Sequence, residues 1–407
     1  MSKHNTVHIC MMSSLHSPYD DRIYWKQALS LKKAGYQVTH ICLGEKELDE
    51  LSEHGIRLVQ IRKKSYSKHL LLDALARKIA PANEYSRILQ KAAGLKADIY
   101  HMHDLQLLKI APAIKALPYN PLLIYDVHEP NPVTLADAEV NNPLMKVFMK
   151  TYAGYIHYWE LRKAKYSDLV IATEENVAQN FKDHLAHIPV EIIYNYCNWT
   201  VPATNEMPDK RFDFIYSGGI RRRRGAMEML HAMVILREQG IKARLLMIGL
   251  VCDPGLKEEM EKFIESKSLS KQVTLHLPVP YEKVTDFYKA SRCGLAFFDT
   301  KKVNHIIMPI KIFEYIAFGL PVITTGIGHM KKITETYHTG LTVEPGNIAE
   351  LAEAMKKLMT QEKLYNTLRQ NCLNLYRTQF NWQQMEKKLT LIYKGLLENR
   401  TQEKQAE

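Results

Sequence analysis

The stretch that decides the fold is "VHICMMSSLHSPYDDRIYWKQALSLKKAGYQVTHICLG", residues 7–44. It opens with an apolar run and continues with a polar loop. Residues 22–35 then show the amphipathic period of a helix that stops at a glycine. The apolar segment "YQVTHICLG" follows and is predicted to be a second strand. A strand, a helix and a strand in this order form a βαβ unit, the building block of a parallel sheet.

The same alternation of strands and helices runs through the rest of the chain. Four more apolar segments end in polar residues: "ADIYHMHD", "PLLIYDVHE", "SDLVIATEE" and "VEIIYNY". A second series runs from "FDFIYSGG" to "GLPVITT". We therefore predict an α/β protein with two doubly wound, Rossmann-like domains that face each other across an interdomain cleft. Ligands of such sheets bind beyond the carboxyl ends of the strands, which makes the cleft the expected site.

A break in this alternation predicts the domain boundaries. Residues 201–211, "VPATNEMPDKR", contain two prolines and no apolar period, which is typical of a linker. We predict a first domain at residues 1–205 and a second at residues 206–380. The terminal segment, residues 381–407, holds a helix long enough to cross back to the first domain.

The composition is ordinary for a globular protein, with 46% apolar and 24% charged residues among 407. The formal net charge is +11. Residues 1–200 carry +3 (24 Lys/Arg against 21 Asp/Glu), and the remainder carries +8 (31 against 23). Such an excess suits phosphate-bearing ligands, an anionic membrane surface or nucleic acid.

The sequence predicts a cytoplasmic protein. No window approaches the roughly 18 uncharged apolar residues of a membrane span. The amino terminus lacks the apolar core of a signal peptide, and the six cysteines form no CxxC pair. One stretch, "KKSYSKHLLLDALARKIA" at residues 63–80, joins leucines to basic residues. It fits a helix on an anionic bilayer, at the inner face of the cell membrane, and equally a helix packed on its own domain.

The segment "FIYSGGIRRRRGAMEML" leads from a strand through two glycines and four arginines into a helix. Gly218 and Gly219 let a ligand approach the backbone, and the amino terminus of the helix favours anions. Arginine at such a strand end suits a diphosphate, which it can bind with two hydrogen bonds. The alternative is a solvated basic turn.

The segment "PIKIFEYIAFGLPVITT" places Lys311 and Glu314 in an almost wholly apolar helix. A charged side chain in apolar surroundings usually pairs with another group or has a functional role. The alternative is a surface ion pair three residues apart.

Two strand ends, "HMHD" and "DVHE", and the loop "HSPYDDRIY" supply the other candidates. Histidines and carboxylates there could orient a substrate, bind a metal or merely cap a strand. His101 and His103 resemble a zinc ligand pair and share one face of their strand, but no further ligands follow at a usual spacing. In the loop, Asp20 or Asp21 could simply cap the following helix.

The absence of several sequence motifs argues against some classes of binding site. GxGxxG and GxxxxGK[ST] are absent, which argues against a dehydrogenase-type dinucleotide site and a P-loop. No Asp-x-Asp pair is present to hold a divalent metal on a diphosphate. We therefore predict a site without metal or cofactor, in which basic side chains neutralise the phosphates.

Taken together, these stretches resemble glycosyltransferase family 4, whose members are retaining enzymes of the GT-B fold that use nucleotide sugars. The resemblance spans nearly the whole chain and is strongest to members that build bacterial cell-surface polysaccharides. The motifs that carry it are "HSPYDDRI", "DIYHMHD", "DVHE", "YSGGIRRRRG", "PIKIFEYIAFGLPVI", "TGLTVEPGN" and the terminal "NW…LIYKGLL".

The resemblance implies roles for individual residues. Glu314 would bind the ribose hydroxyls, Arg224 stands where the family usually has a lysine on the diphosphate, and His128 matches a histidine near the transferred sugar. The predicted catalytic residues are His128, Arg224 and Lys311. The predicted donor-binding residues are Gly218, Gly219, Arg224, Lys311 and Glu314. The predicted acceptor-side residues are His16, Asp20, Arg22, His103, Asp104 and Glu129.

The chain departs from the family pattern at two positions. The family often has an arginine where this chain has Gly219, and a glutamate where it has Ile306. That glutamate usually contacts the donor sugar, so the resemblance says less about the sugar than about the nucleotide. Lys311 is expected to take over part of the diphosphate charge.

The predicted function is retaining transfer of a sugar from a nucleotide sugar to a glycan or lipid-linked acceptor, in the synthesis of cell-surface polysaccharide or glycolipid. The resemblance implies that the leaving phosphate helps to deprotonate the acceptor hydroxyl. A nucleotide-sugar epimerase or hydrolase on the same fold is the main alternative. A metal-dependent hydrolase built on His101, His103 and His128 is another. Binding of nucleic acid by Arg221–Arg224 ranks last, because no aromatic residues are interleaved with the arginines.

Overall fold

The computed structural model describes residues 6–63, 82–138, 140, 142–199 and 210–406. The chain divides into two compact units. Unit 1 is Met1–Asn195 with Gln383–Glu407, and unit 2 is Tyr196–Trp382. The division falls after residue 195, whereas the sequence placed it after residue 205. Of the predicted linker, residues 201–209 lie outside the described residues, and so do residues 64–80 of the leucine-rich basic stretch.

Unit 1 holds a sheet in which all neighbouring strands are parallel except one antiparallel edge pair. Its strands are β1 (His8–Met12), β2 (Gln37–Gly44), β3 (Leu48–Leu51), β4 (Arg57–Arg62), β5 (Ile99–Met102), β6 (Leu122–Val127), β7 (Leu169–Ala172) and β8 (Val190–Ile192). Their order is β3-β4-β2-β1-β5-β6-β7-β8, and β3–β4 is the antiparallel pair. The direction of winding reverses between β1 and β5, so ligands are expected at the carboxyl ends of these strands.

The helices of unit 1 follow the strands as parallel crossovers require. They are α1 (Asp21–Ala28, π-helical), α2 (Leu29–Lys33), α3 (Ala82–Leu95), α4 (Ala111–Lys115), α5 (Asn131–Ala136), α6 (Pro143–Ala164) and α7 (Glu175–His184). The predicted helix at residues 22–35 is therefore two consecutive segments of different winding. Asp20 caps the first, because its Oδ1 accepts hydrogen bonds from the backbone of Arg22 (2.9 Å) and Ile23 (3.0 Å).

Unit 2 holds a six-stranded, wholly parallel sheet. Its strands are β9 (Phe212–Ser217), β10 (Leu245–Ile248), β11 (Val273–His276), β12 (Ser291–Ala296), β13 (Val322–Thr325) and β14 (Gly340–Val343). Their order is β11-β10-β9-β12-β13-β14, which puts the reversal of winding between β9 and β12. Its core includes Phe214, Leu245, Leu295 and Ile323 from the central strands. The doubly wound α/β class predicted from the sequence is thus confirmed in both units.

Helices cover the sheet of unit 2, and a last helix returns to unit 1. They are α8 (Ala226–Glu238), α9 (Leu256–Ser266), α10 (Tyr281–Lys289), α11 (Lys302–Ile306), α12 (Ile310–Ala317), α13 (Gly328–Thr336), α14 (Ile348–Thr360), α15 (Glu362–Thr378) and α16 (Trp382–Ala406). In the part of the chain that the structure describes, no helix is both long and apolar enough to span a bilayer.

Candidate functional site

The carboxyl ends of three neighbouring strands of unit 1 gather four of the predicted acceptor-side residues and His128, which was predicted to be catalytic. β5 lies between β1 and β6, so the segments that follow these strands share one edge of the sheet. His16 and Asp20 follow β1, His103 and Asp104 follow β5, and His128 follows β6. We call this group, together with Asp126 of β6, the acceptor-side cluster, after the role that the sequence analysis predicts for most of its members.

Asp126, near the end of β6, is the buried centre of the cluster. Its carboxylate accepts hydrogen bonds from Arg22 Nε (3.2 Å) and Nη2 (2.8 Å), and from Gln27 Nε2 (2.6 Å). Burial by itself would raise the pKa of Asp126, but the charge of Arg22 together with the neighbouring His128 and His103 outweighs burial and holds the pKa well below the usual value. Arg22 is also buried and donates to the backbone oxygen of Ile193 (2.9 Å). The guanidinium of Arg22 therefore stabilises the fold of unit 1 through these hydrogen bonds. The predicted contact of Arg22 with an acceptor stays a prediction.

Two histidines connect Asp126 to the surface of unit 1. His103 Nδ1 lies 3.4 Å from Asp126 Oδ2 and 3.2 Å from His128 Nε2. Burial lowers the pKa of His103 to about 4, against the opposing effect of Asp126, so the imidazole is neutral at pH 7. His128 is 14% exposed. A neutral, oriented imidazole behind His128 fixes the position of that ring and leaves its exposed part available for a ligand.

His16 is a cation held between two carboxylates. Its Nδ1 lies 2.9 Å from Asp20 Oδ2 and its Nε2 lies 3.3 Å from Asp104 Oδ1. Burial by itself lowers its pKa, but the hydrogen bonds to Asp104 and Asp20 outweigh burial and raise the pKa of His16 to about 10. Its ring centroid lies 4.9 Å from that of His128. The cluster thus presents a charged imidazole beside His128.

Asp104 is anchored by the backbone. It accepts hydrogen bonds from the N–H groups of Ser14 and Leu15, the latter at 3.0 Å. Burial by itself would raise the pKa of Asp104. The hydrogen bonds to His16 and to the backbone of Ser14 outweigh burial and lower this pKa to about 2. Glu129, by contrast, has an exposed side chain, and its predicted role stays a prediction.

Three buried groups of unit 1 have the composition of a metal site. Ligand atoms of His101, His103 and Asp126 lie within 4.8 Å of one another. The rings of His101 and His103 are 4.1 Å apart, on one face of the strand as alternation predicts. However, Arg22 and Gln27 already occupy the carboxylate of Asp126, and a guanidinium beside a site disfavours a second cation. These residues therefore fit a metal poorly.

In unit 2, the predicted donor-binding residues gather where β9 ends. Gly218 has φ +112°, and a methyl group added there would lie 3.5 Å from Lys311 Nζ. A methyl group on Gly219 would lie 3.5 Å from Arg224 Nη1. The glycine turn therefore runs directly beneath two cationic side chains, and larger residues would fill the space between them.

Lys311, in the first turn of α12, is a buried cation that is 9% exposed. Its Nζ has no hydrogen-bond partner among the described residues and lies 3.9 Å from the centre of the Tyr216 ring. Burial, and then the charge of Arg224, lowers the pKa of Lys311 to about 7, while Glu314 opposes the shift. A buried ammonium without hydrogen-bond acceptors is costly, and an anion would supply them.

Three arginines of the basic turn, at positions 221, 222 and 224, differ in the groups that they contact. Arg221 pairs with Asp253 at 3.2 Å, and Arg222 pairs with Glu259. Arg224 is half-buried beside the glycine turn, with Nη1 3.5 Å from the backbone oxygen of Gly219. Of these three, Arg224 is therefore the one whose guanidinium faces the glycine turn.

Glu314 lies one turn further along α12, 7% exposed. Its Oε2 accepts a hydrogen bond from Tyr288 Oη (2.8 Å), and Tyr288 Oη lies 2.7 Å from Ser217 Oγ. Since the hydroxyl hydrogen of Tyr288 goes to Glu314, Ser217 is the donor to Tyr288. The carboxylate is thus oriented by a relay of hydroxyls, and the surface ion pair considered for Lys311 and Glu314 is wrong because both side chains are buried.

Sequence reasoning missed the residues that support these groups. Tyr288 and Ser217 orient Glu314, Gln27 binds Asp126, and Tyr393 Oη lies 2.6 Å from His101 Nδ1. Asp126 stood in the quoted "DVHE" but was not selected. The sequence did contain a signal for Asp126, because it is a carboxylate near the end of an otherwise apolar strand. A buried carboxylate needs a partner.

Comparison with curated proteins finds a capsular polysaccharide biosynthesis glycosyltransferase, CapM of Staphylococcus aureus. It is 25% identical over 175 residues, which is 42% of this chain and 44% of that protein. The matched regions are 46%, 11% and 44% of the lengths of the first three curated relatives. The chain therefore spans less than half the length of each of these relatives.

Solved structures show the fold. The sucrose-phosphate synthase of Thermosynechococcus elongatus matches 97% of this chain and 100% of its own, with a TM-score of 0.71 and 16% identity. HepE of Anabaena, solved in complex with UDP, matches 96% of this chain and 100% of its own, with a TM-score of 0.69 and 14% identity. The predicted GT-B fold is confirmed.

Two family models match the chain in succession. The model described as "Glycosyltransferase Family 4" matches residues 22–198, and the model described as "Glycosyl transferases group 1" matches residues 198–374. The acceptor-side cluster after β5 and β6 falls within the first, and Lys311 with its neighbours within the second. The chain therefore belongs to glycosyltransferase family 4.

Proposed function

We propose that the protein transfers a sugar from a nucleotide sugar to a glycan or lipid-linked acceptor, with retention of configuration and without a divalent metal. Membership of glycosyltransferase family 4 supports the reaction class. The capsular polysaccharide enzyme CapM among the relatives supports synthesis of cell-surface polysaccharide. The UDP complex of HepE supports a uridine nucleotide as the first donor to test.

The observation that carries the proposal is Lys311. Its ammonium is buried, has no hydrogen-bond partner among the described residues and lies over the turn at Gly218. Arg224 flanks the same turn. Two cationic groups beside a glycine turn can bind the oxygens of a diphosphate and stabilise the charge that develops as it leaves. In this proposal they take the part that a divalent metal plays on a diphosphate elsewhere.

The remaining roles in this proposal are those that the family resemblance implies. Glu314, oriented by Tyr288, accepts hydrogen bonds from the ribose hydroxyls. His128 contacts the transferred sugar, as the resemblance implies. In the reaction, the bond between the anomeric carbon and the phosphate oxygen breaks, a bond to the acceptor oxygen forms on the same face, and the acceptor proton passes to the leaving phosphate. Product NMR should therefore show the anomeric configuration of the donor.

The proposed location is the cytoplasm, with peripheral contact at the inner face of the cell membrane and no binding of nucleic acid. Nucleotide sugars are cytoplasmic substrates in this proposal, and a lipid-linked acceptor would be met at the membrane. The sequence stretch that suggested such contact lies, from residue 64 onward, outside the described residues.

Calorimetric titration with UDP and with uridine tests the assignment of Lys311. Lys311→Met keeps an unbranched side chain, one atom shorter, but removes its charge. Losing a bond to a charged group typically costs about 1.5–3 kcal/mol. We expect the affinity for UDP to fall about 10- to 150-fold and that for uridine to stay nearly constant. Lys302→Met, which changes an exposed lysine of α11, should leave both affinities unchanged. Equal loss of both ligands in Lys311→Met would contradict the proposal.

Further measurements test the diphosphate site and the reaction. Arg224→Ala should likewise weaken UDP more than uridine, because the guanidinium faces the glycine turn. A panel of nucleotide sugars can be screened by thermal stabilisation to find the donor. Transfer from that donor should survive excess EDTA. Turnover of the donor to a free epimer without any acceptor would instead indicate an epimerase.

A further inference from the structure

The two ring nitrogens of His128 lie in different surroundings. Nε2 lies 3.2 Å from Nδ1 of His103, which is buried inside unit 1. Nδ1 has no hydrogen-bond partner among the described residues and is not one of their buried polar atoms. Nδ1 is therefore the nitrogen that a ligand can reach. What it offers to a ligand depends on whether it carries a hydrogen, because a neutral imidazole has one donor and one acceptor nitrogen.

The position of the hydrogen on His103 follows from the groups around that ring. His103 Nδ1 lies 3.4 Å from Oδ2 of Asp126. An ionised carboxylate only accepts hydrogen bonds, so a bare Nδ1 would direct its lone pair at a negatively charged oxygen. The other nitrogen, Nε2, is buried and has no partner among the described residues, so a hydrogen there would be an unsatisfied buried donor. Both observations place the single hydrogen of neutral His103 on Nδ1.

The hydrogen on His103 in turn decides where the hydrogen of His128 lies. The N–H group at His103 Nδ1 faces both Asp126 Oδ2 and His128 Nε2 and can donate to either. Nε2 of His128 is then the hydrogen-bond acceptor of the histidine pair, so neutral His128 carries its hydrogen on Nδ1. An imidazolium ring would carry a hydrogen there as well. The exposed nitrogen of His128 is thus a donor in both forms.

The neighbouring His101 shows the same orientation toward the carboxylate. Its Nδ1 lies 2.6 Å from the hydroxyl of Tyr393, for which no other hydrogen-bond acceptor exists among the described residues. The hydroxyl therefore donates to Nδ1, and the hydrogen of His101 is on Nε2, which lies 3.7 Å from Asp126 Oδ2. Two stacked imidazoles, with centroids 4.1 Å apart, thus turn their N–H groups toward Asp126.

We propose that Asp126 and His103 are positioning residues that keep the hydrogen of His128 on Nδ1, so that unit 1 presents a hydrogen-bond donor to the transferred sugar. The part about the sugar rests on the proposed function, whereas the hydrogen position stands on contacts within unit 1. The ligand group that fits this donor is an oxygen with a free lone pair, such as a sugar hydroxyl or ring oxygen.

This hydrogen position restricts what His128 can do in the reaction. A general base needs a nitrogen with a free lone pair within reach of the proton that it takes up. The exposed Nδ1 of His128 has none, and Nε2 is directed at His103 inside unit 1. His128 therefore does not take the proton of the acceptor hydroxyl. In the proposed reaction that proton passes to the leaving phosphate, which requires no base from unit 1.

Nitrogen NMR of the full chain with ¹⁵N-labelled histidine tests the hydrogen position without any substrate. At pH 8 an ordinary histidine is neutral, and long-range proton–nitrogen correlation distinguishes a ring nitrogen with a hydrogen from a bare one. The signal of His128 is the one that disappears in His128→Gln. We expect Nδ1 of His128 to carry the hydrogen and Nε2 to be bare. The reverse pattern, or equal populations of the two forms, would overturn the proposal.

Substitutions of His103 test its part in the arrangement. His103→Leu removes the N–H group and leaves Nε2 of His128 facing Asp126 at 3.7 Å. The ratio of the two forms should then move about tenfold toward a hydrogen on Nε2, the effect of about one hydrogen bond. His103→Asn keeps a donor close to the place of Nδ1 and should retain the wild-type form. An unchanged ratio in a folded His103→Leu protein would refute the role of His103.

The matched control is Tyr393→Phe, which removes a buried hydrogen bond of His101 but leaves His103 in place. Circular dichroism verifies the fold of each variant. The His128 signal should be the same in this control as in the wild type. A change as large as that in His103→Leu would indicate general loosening of the cluster and overturn the proposal.

Transfer kinetics test the consequence for the reaction. His128→Leu should lower kcat about tenfold, the effect of about one hydrogen bond. His128→Asn, whose amide can donate from nearly the place of Nδ1, should keep a kcat several times higher than His128→Leu. Equal loss in both variants is the result for a general base and would overturn the donor role. The expected NMR pattern without transfer from any nucleotide sugar would support the hydrogen position and reject only the proposed function.

Discussion

The two sheets each collect charged side chains at the carboxyl ends of central strands, but the charges are balanced in one and not in the other. In unit 1, Asp126 accepts hydrogen bonds from Arg22 and Gln27, and His16 lies between two carboxylates. In unit 2, the ammonium of Lys311 is buried without a hydrogen-bond partner among the described residues.

This difference separates a scaffold from a binding site. The balanced group keeps its geometry without a ligand, because every change of position would break an existing bond. The buried ammonium of Lys311 lowers the stability of the folded protein as long as no anion is bound. Binding of an anion then offsets part of this cost. The same substitution, removal of one charge, should therefore have opposite effects on stability in the two units.

The largest expected effect is that of Asp126→Ala. The change leaves Arg22 buried without its partner, which typically costs about 3–5 kcal/mol in the free energy of unfolding. Urea denaturation followed by circular dichroism measures it. The control is Asp49→Ala, which breaks the exposed pair with Arg57 and should cost less than about 1 kcal/mol. If the two variants lost equal stability, the acceptor-side cluster would not be the scaffold described here.

The second prediction concerns the pH dependence of Lys311. The pKa near 7 means that the folded protein without ligand loses this proton in a range where the unfolded chain keeps it. The unfolded state therefore binds more protons between pH 7 and about 10.5, and this group makes stability rise with pH there. Binding of UDP requires the charged form, so affinity should fall above pH 7, by at most about tenfold per pH unit.

Calorimetry between pH 7 and 8.5 checks the profile. Lys311→Arg keeps a charge over this whole range and should flatten it. A wild-type profile that is equally flat would show that Lys311 does not titrate in the binding range.

The third prediction concerns Glu314→Gln, which keeps an acceptor oxygen but removes the charge. Charge-assisted hydrogen bonds are about twice as strong as neutral ones, so we expect a loss of about 1 kcal/mol in affinity. The loss should be the same for UDP and uridine, because the ribose is common to both. Glu353→Gln, on an exposed side of α14, is the matched control. A loss confined to UDP would place Glu314 on the phosphates instead.

The smallest expected effect is that of His16→Gln on stability. The pKa of His16 is raised from 6.5 to about 10, so its contribution is complete below pH 6.5 and is lost as pH rises through 10. Solvent screens this partly exposed ion pair, so only a fraction of the free energy that the pKa shift implies should be measurable. The variant should be about 1 kcal/mol less stable than the wild type at pH 6, and the difference should shrink toward pH 10. Urea denaturation at both pH values measures it, and a difference independent of pH would contradict the ion pairs.

The sequence predicts those features of the two regions that depend on neighbours along the chain. Apolar periods identify the central strands, and polar residues at their ends identify the edge where the clusters form. Gly218, Lys311 and Glu314 could be selected because two glycines and two charges stand in unexpected surroundings. Alternation along β5 also places His101 and His103 on one face.

The remaining features depend on contacts between distant parts of the chain. Arg22 and Asp126 are 104 positions apart, and their pairing follows from the strand order, which periodicity does not give. The exposure of Leu144, Phe148 and Tyr158 on α6 is a property of packing, since a helix of the same composition could equally be buried. Residues such as Tyr288 carry no signal in the sequence, because a tyrosine on a helix usually belongs to the core.

The return of α16 to unit 1 has a consequence for synthesis on the ribosome. The partner of His101 is Tyr393, 292 positions later, and Arg400 donates to the backbone oxygens of Tyr119 and Asn120. Unit 2 is a continuous insertion between the two parts of unit 1, so all of its residues emerge before unit 1 is complete. We therefore expect unit 2 to become protease-resistant on the nascent chain first, reversing the usual amino-to-carboxyl order of domain folding. Pulse proteolysis of ribosome-bound chains with an added carboxyl-terminal linker, stalled when Trp382 has just left the ribosome, would detect this order.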